Sequence, residues 1–96
     1  MTRKAKTPEE ADKFTDIPNI GPAMSADFKA LGLTHPQDLI GQDAHKLYQK
    51  LNKMSGSRQD PCVLDTFMAA IAFMESGNLE PWWSQTPIRK KKFTDL

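Results

Sequence analysis

Ninety-six residues with a net charge of +1, 39% hydrophobic and 26% charged, describe one globular domain with a single core and no room for a separate catalytic lobe. The size predicts a radius of gyration of about 12–13 Å. The longest apolar run, Phe67 to Met74, is far short of a membrane span. No apolar stretch follows the basic start Met1-Thr2-Arg3-Lys4 as a secretory leader requires, and a single cysteine excludes an internal disulfide, so a soluble, cytoplasmic chain is expected.

Taken in chain order, Thr7-Pro8-Glu9-Glu10 reads as a capping box with proline in the first turn. It predicts a helix that carries Ala11 and Phe14 and ends before Pro18. A second helix opens at Gly21-Pro22, with Met24, Phe28 and Leu31 in one apolar stripe, and closes at Gly32. A short helix from Pro36 to Ile40 stops at Gly41. The next helix is capped by Asp43 and buries Ala44, Leu47, Tyr48 and Leu51, with Lys46, Gln49, Lys50 and Lys53 on its polar face. Asp60-Pro61 repeats the cap-plus-proline signal and opens a helix to about Ser76 that is apolar on nearly every side, hence a central post ending at Gly77. No stretch alternates as a half-buried strand does. The predicted fold is all-α, a compact helical bundle around one central apolar helix.

Charge divides the chain into three parts. Residues 1–13 form an N-terminal cap helix and tail with a net charge of +1. Residues 14–84 form the domain, with five basic groups against eight acidic, a net of −3. Residues 85–96 form a basic tail at +3, built on Arg89, Lys90, Lys91 and Lys92.

Within the domain there is an echo at a spacing of twenty. Ile20-Gly21 recurs as Ile40-Gly41, Met24 matches Ala44, Phe28 matches Tyr48 and Leu31 matches Leu51. Each glycine follows a short helix and precedes an amphipathic one, so two helix–turn–helix units in tandem are expected.

The segment DIPNIGPAMSADFKALGL, residues 16–33, resembles a helix-hairpin-helix motif, and GQDAHKLYQKL resembles the second, degenerate unit of tandem versions. With DPCVLDTFMAAI and the Trp82-Trp83 pair included, residues 14–90 resemble the small bacterial family labelled pathogenicity-locus or mitomycin-resistance proteins. They are also similar to the C-terminal domain of TfoX-type competence regulators. The resemblance implies tandem helix-hairpin-helix (SAM-like) units and non-sequence-specific DNA binding in repair, uptake or damage tolerance. It places phosphate on the hairpin Pro18, Asn19, Ile20, Gly21, Ala23 and Met24, with the amides of Gly21, Ala23 and Met24 as donors, and a monovalent cation on the carbonyls of the Pro18–Gly21 turn. Asn19 stands where the usual motif has its first glycine, and Ala23 where it often has lysine, so the binding expected is weak.

The physical basis holds without the resemblance. A tight turn leading into a helix N-terminus exposes unpaired amides, and the helix dipole adds positive potential. The basic tail Arg89–Lys92 supplies long-range attraction. The acidic body favours the alternative, a protein-interaction adaptor on the same scaffold without nucleic acid. Trp82 and Trp83 are expected to pack on the bundle as the chain leaves it; the sharper alternative sets Trp83 beside the basic run as a base-stacking surface.

No catalytic or metal site is expected. Cys62 near a helix N-terminus has the setting of an activated thiol, but Asp60 beside it disfavours the thiolate. His35, His45 and Cys62 lack metal-ligand spacing, with His35 assigned to capping the short helix and His45 to a polar face. The carboxylates Glu9, Glu10, Asp43 and Asp60 are explained by capping. The chain is read as a monomeric, non-enzymatic module.

Overall fold

The computed structural model describes residues 4–79 and 81–92. The basic start at Met1–Arg3, Glu80 and the last four residues of the expected C-terminal tail lie outside the described residues. The described chain is all-helical, with four α-helices: α1 (Pro22–Ala30), α2 (Ala44–Ser55), α3 (Pro61–Ser76) and α4 (Thr86–Lys92). Short 3₁₀ turns at Pro8–Glu10, Phe14–Asp16, Pro36–Leu39 and Trp82–Gln85 connect them. The radius of gyration is 12.5 Å.

The central post is α3. It packs against α2, α4 and the 3₁₀ turns at Pro8–Glu10, Pro36–Leu39 and Trp82–Gln85. Leu64, Phe67, Ala70, Ile71, Phe73 and Met74 are all buried. Phe67 reaches Phe28 of α1 with ring centroids 5.1 Å apart, and Phe28 reaches Phe14 at the same distance. This column of three rings joins α3, α1 and the segment before the first hairpin, and truncating Phe67 to alanine would cost about 3–5 kcal/mol.

The caps of α2 and α3 follow the sequence. Asp43 Oδ1 accepts from the amides of His45 and Lys46 at 2.9 and 3.2 Å, and Asp60 Oδ1 from that of Cys62 at 2.8 Å. Lys50 of α2 is not a bystander on a polar face: its ammonium donates to the Leu31 carbonyl at 3.1 Å, satisfying the end of α1.

Two expectations change. The N-terminal helix is replaced by the two 3₁₀ turns Pro8–Glu10 and Phe14–Asp16, because the Glu10 carboxylate accepts from the Lys6 amide rather than that of Thr7, and Ala11 and Lys13 are extended. Ala11 and Phe14 are buried nonetheless. His35 is the N-cap of its short helix, as expected, and Asp38 Oδ2 completes the cap by accepting from the amides of Thr34 and His35 at 2.9 and 3.0 Å.

The second change is in the register of the repeat: the turns and helix starts match at twenty-two residues, whereas the buried faces of α1 and α2 keep the expected spacing of twenty, with Phe28 and Tyr48, and Leu31 and Leu51, all buried. The turn Phe14–Asp16 corresponds to Pro36–Leu39, and the start of α1 at Pro22 to the start of α2 at Ala44. Asp16 Oδ2 accepts from the amides of Asp12 and Lys13, both at 3.0 Å, as Asp38 Oδ2 does from Thr34 and His35. The bend then closes through Ile20 N–H to the Ile17 carbonyl and through Gln42 N–H to the Leu39 carbonyl, each at 3.1 Å. Asn19 (φ 73°) and Gly41 (φ 84°) are therefore the matching left-handed residues. Gly21 is matched with Asp43. The identical Ile-Gly pairs sit two positions out of step, since backbone conformation and not letter identity sets the correspondence.

Candidate nucleic-acid interface

The first hairpin is anchored by its apolar residues. Ile17 and Ile20 are fully buried, and the pair between them is left to make the bend. Pro18 in the second position and left-handed Asn19 in the third are what a type II turn requires. Asparagine tolerates that conformation better than most residues, so the turn closes without a glycine.

Gly21 caps α1 in extended backbone, φ −101° and ψ −176°. Any residue adopts that conformation, and a Cβ built on Gly21 meets nothing within 4 Å. The fold therefore does not demand glycine here. What glycine does is leave the helix end uncovered. Its carbonyl accepts from the Ser25 amide at 2.9 Å, but among the described residues no group accepts from the amides of Gly21, Ala23 or Met24. Gly21, Pro22 and Ala23 are exposed and Met24 is half-buried.

The second unit has the same path and the opposite chemistry. Asp43, in the place of Gly21, closes the amides of His45 and Lys46, the counterparts of Ala23 and Met24. The Gly41 amide donates to Glu75 Oε2 of α3 at 2.8 Å. Two carboxylates thus fill the second hairpin from within. The first is open.

Lys4 is the residue that sequence reasoning missed. The Ala5 amide donates to the Asp16 carbonyl at 2.7 Å and lays the N-terminal segment beside the hairpin. From there the Lys4 ammonium donates to the carbonyls of Thr15 at 2.6 Å and Ile20 at 2.5 Å. Nothing local in Met1–Lys6 announces this contact.

The basic run is not a free tail through residue 92. Arg89–Lys92 lie in α4, and Arg89 is withdrawn from solvent: its Nε meets Asp65 Oδ1 of α3 at 2.6 Å, with both side chains buried. The Thr86 hydroxyl donates to the other Asp65 oxygen at 2.7 Å. A guanidinium can satisfy a buried carboxylate that α3 cannot, which is why the first basic residue folds inward. Lys90, Lys91 and Lys92 stay exposed, and Lys92 borders a cavity of about 390 Å³ with Gly41, Asp43, His45 and Met68 at the second unit. Trp82 is half-buried and meets the 60% exposed Trp83 edge to face at 5.8 Å.

Cys62 is exposed, but the Asp60 side chain and partial desolvation push its thiol above the ordinary range. No group of three His, Cys, Asp or Glu suited to a metal occurs among the described residues. No helix among them is long and apolar enough to cross a membrane.

Comparison with known proteins places this architecture. The family model described as Pathogenicity locus (Cdd1) matches residues 7–91. The mitomycin resistance protein McrB of Streptomyces lavendulae is 34% identical over 85 residues, spanning 88% of this chain and 81% of that protein. No solved structure matches. The match runs from the first 3₁₀ turn into α4 and so takes in both units and the central post: the chain belongs to the pathogenicity-locus (Cdd1) family.

Proposed function

We propose that the protein is a weak, non-sequence-specific DNA-binding module on a tandem helix-hairpin-helix scaffold, in which the first hairpin holds one backbone phosphate. The observation that carries this reading is the contrast between Gly21 and Asp43. At Asp43 a carboxylate occupies two helix-terminal amides; at Gly21 no group among the described residues accepts from the matching amides, and a side chain built there meets nothing within 4 Å. An anion from outside can take the place that the Asp43 carboxylate takes in the second unit. Because the contact is to backbone amides and one phosphate, it reads no sequence. An affinity of about 10⁻⁴–10⁻⁶ M is expected. The exposed lysines of α4 add long-range attraction. The resistance named in the McrB relative accords with a place in damage tolerance.

The reading assigns no catalytic role to Cys62 and treats the module as cytoplasmic and monomeric. A second reading, a protein-interaction adaptor, draws on the net charge of −3 over residues 14–84 and on the exposed Trp83 and Ile88.

Fluorescence anisotropy with labelled duplex and single-stranded DNA at about 50 and 200 mM salt separates the two. Saturable binding that weakens with salt and is lost in Gly21→Asp supports the hairpin. Binding that survives Gly21→Asp but vanishes in a Lys90, Lys91 and Lys92 to Gln variant reduces it to general charge attraction. No binding at the lower salt leaves the adaptor.

A further inference from the structure

We infer that Lys4 is the tethered cation of the first hairpin: its ammonium fills the carbonyl side of the turn, where a diffusible monovalent ion would otherwise sit, and presents a fixed positive charge to the bound phosphate. The inference deepens the hairpin reading and rests on it.

The carbonyls of Thr15 and Ile20 accept from no backbone amide among the described residues. Both point at one Nζ, at 2.6 and 2.5 Å. Two carbonyl oxygens that converge on one point form a site for a small cation, and here the chain supplies the cation itself. The placement is anchored: the next residue, Ala5, is buried and bonded through its amide to the Asp16 carbonyl. The cost of ordering the long lysine side chain is thus met on folding rather than on binding.

An ammonium has three donors. Two are used on the hairpin, and Lys4 is exposed, so the third is left for an incoming oxygen. The Ile20 carbonyl belongs to the same peptide group as the Gly21 amide. Donation to that oxygen polarises the peptide and strengthens the amide as a phosphate donor. Lys4 thereby supplies the positive charge that Ala23 does not. It also removes the need for a particular ion in solution.

The test compares the full chain with Lys4→Met and Lys4→Arg in potassium chloride and in tetramethylammonium chloride, at about 100 mM each, by anisotropy on a short labelled duplex. Tetramethylammonium has no N–H and is too large to sit on two converging carbonyls. The wild type is expected to bind equally in both salts. Lys4→Met should bind about threefold to tenfold more weakly in tetramethylammonium, with a salt slope shallower by about 0.9, and regain affinity in potassium. Lys4→Arg should keep most of the affinity in both. A wild type that prefers potassium, or a Lys4→Met variant that matches wild type in both salts, overturns the inference while Gly21→Asp still reports on the hairpin.

A readout without DNA follows the peptide ¹⁵N signals of Asp16 and Gly21, the amides bonded to the two carbonyls. Lys4→Met should shift both and make them respond saturably to potassium, whereas the wild type should not respond. Unshifted signals in Lys4→Met, or a potassium response in the wild type, would place the ammonium elsewhere and sink the inference. If the wild type binds no DNA, the hairpin reading fails, and the role of Lys4 in binding falls with it.

Discussion

Gly21 and Asp43 occupy the same place in two units related by twenty-two residues, and only one of them covers the helix end it caps. The second unit shows what the first has room for: a carboxylate resting on two amides. A single substitution can exchange the two states, because the extended backbone and open surroundings of Gly21 accept a side chain.

Gly21→Asp is therefore expected to raise stability by about 0.3–1 kcal/mol, through the new cap and its charge at the helix N-terminus. It should abolish DNA binding at the same time. Thermal melts and anisotropy on one preparation check both. A loss of binding with a gain in stability cannot be ascribed to unfolding.

Asp65 and Arg89 should behave as a unit. Removing one partner, as Asp65→Ala or Arg89→Leu, leaves a buried charge unpaired and should cost about 3–5 kcal/mol. The double change to apolar residues should cost much less than the two singles combined. Denaturant unfolding of the four proteins in a double-mutant cycle measures the coupling. Independent, additive losses would show that the pair does not hold α4 on α3.

Acid should weaken both units. Backbone amides hold the carboxyls of Asp16 and Asp38 below the usual value of 3.8, with the Lys13 amide the leading cause for Asp16 and the Thr34 amide for Asp38. A depressed folded pKa contributes stability that is present above the unfolded value. That stability disappears as pH falls through the folded value. Asp16→Asn should thus lower Tm at pH 7, with the difference from wild type closing as the pH is taken below 3.8.

Cys62 should be slow toward a thiol probe at neutral pH despite its exposure, since Asp60 raises its pKa above the ordinary 9.0. Reactivity should climb only in alkali. Asp60→Asn should speed the reaction at pH 8 by removing the carboxylate, with a small loss of helix cap. Rapid labelling of the wild type at pH 7 would contradict this account of the α3 N-terminus.

The extent of the two long helices was legible in the sequence, as was the left-handed bend before α1. Asp43, Gly56, Asp60, Pro61 and Gly77 bracket α2 and α3, and Asn19 takes the left-handed turn. Such signals work because a cap or a bend satisfies its hydrogen bonds within three or four residues, where composition alone decides. The burial of α3 followed likewise from its lack of a polar face.

What the tertiary structure decided depends on partners far along the chain. Glu75 reaches the Gly41 amide across 34 residues, Arg89 reaches Asp65 across 24, and Lys4 reaches the Ile20 carbonyl across 16. In each pair a charged side chain distant in sequence supplies a bond that the nearby chain does not: to the Gly41 amide, to Asp65 Oδ1 and to the Ile20 carbonyl. Which charge arrives is settled by the packing of α3 and its neighbours, not by any local pattern. The open first hairpin and the filled second one are therefore products of the fold, although the residues that bend them could be read in order from the sequence.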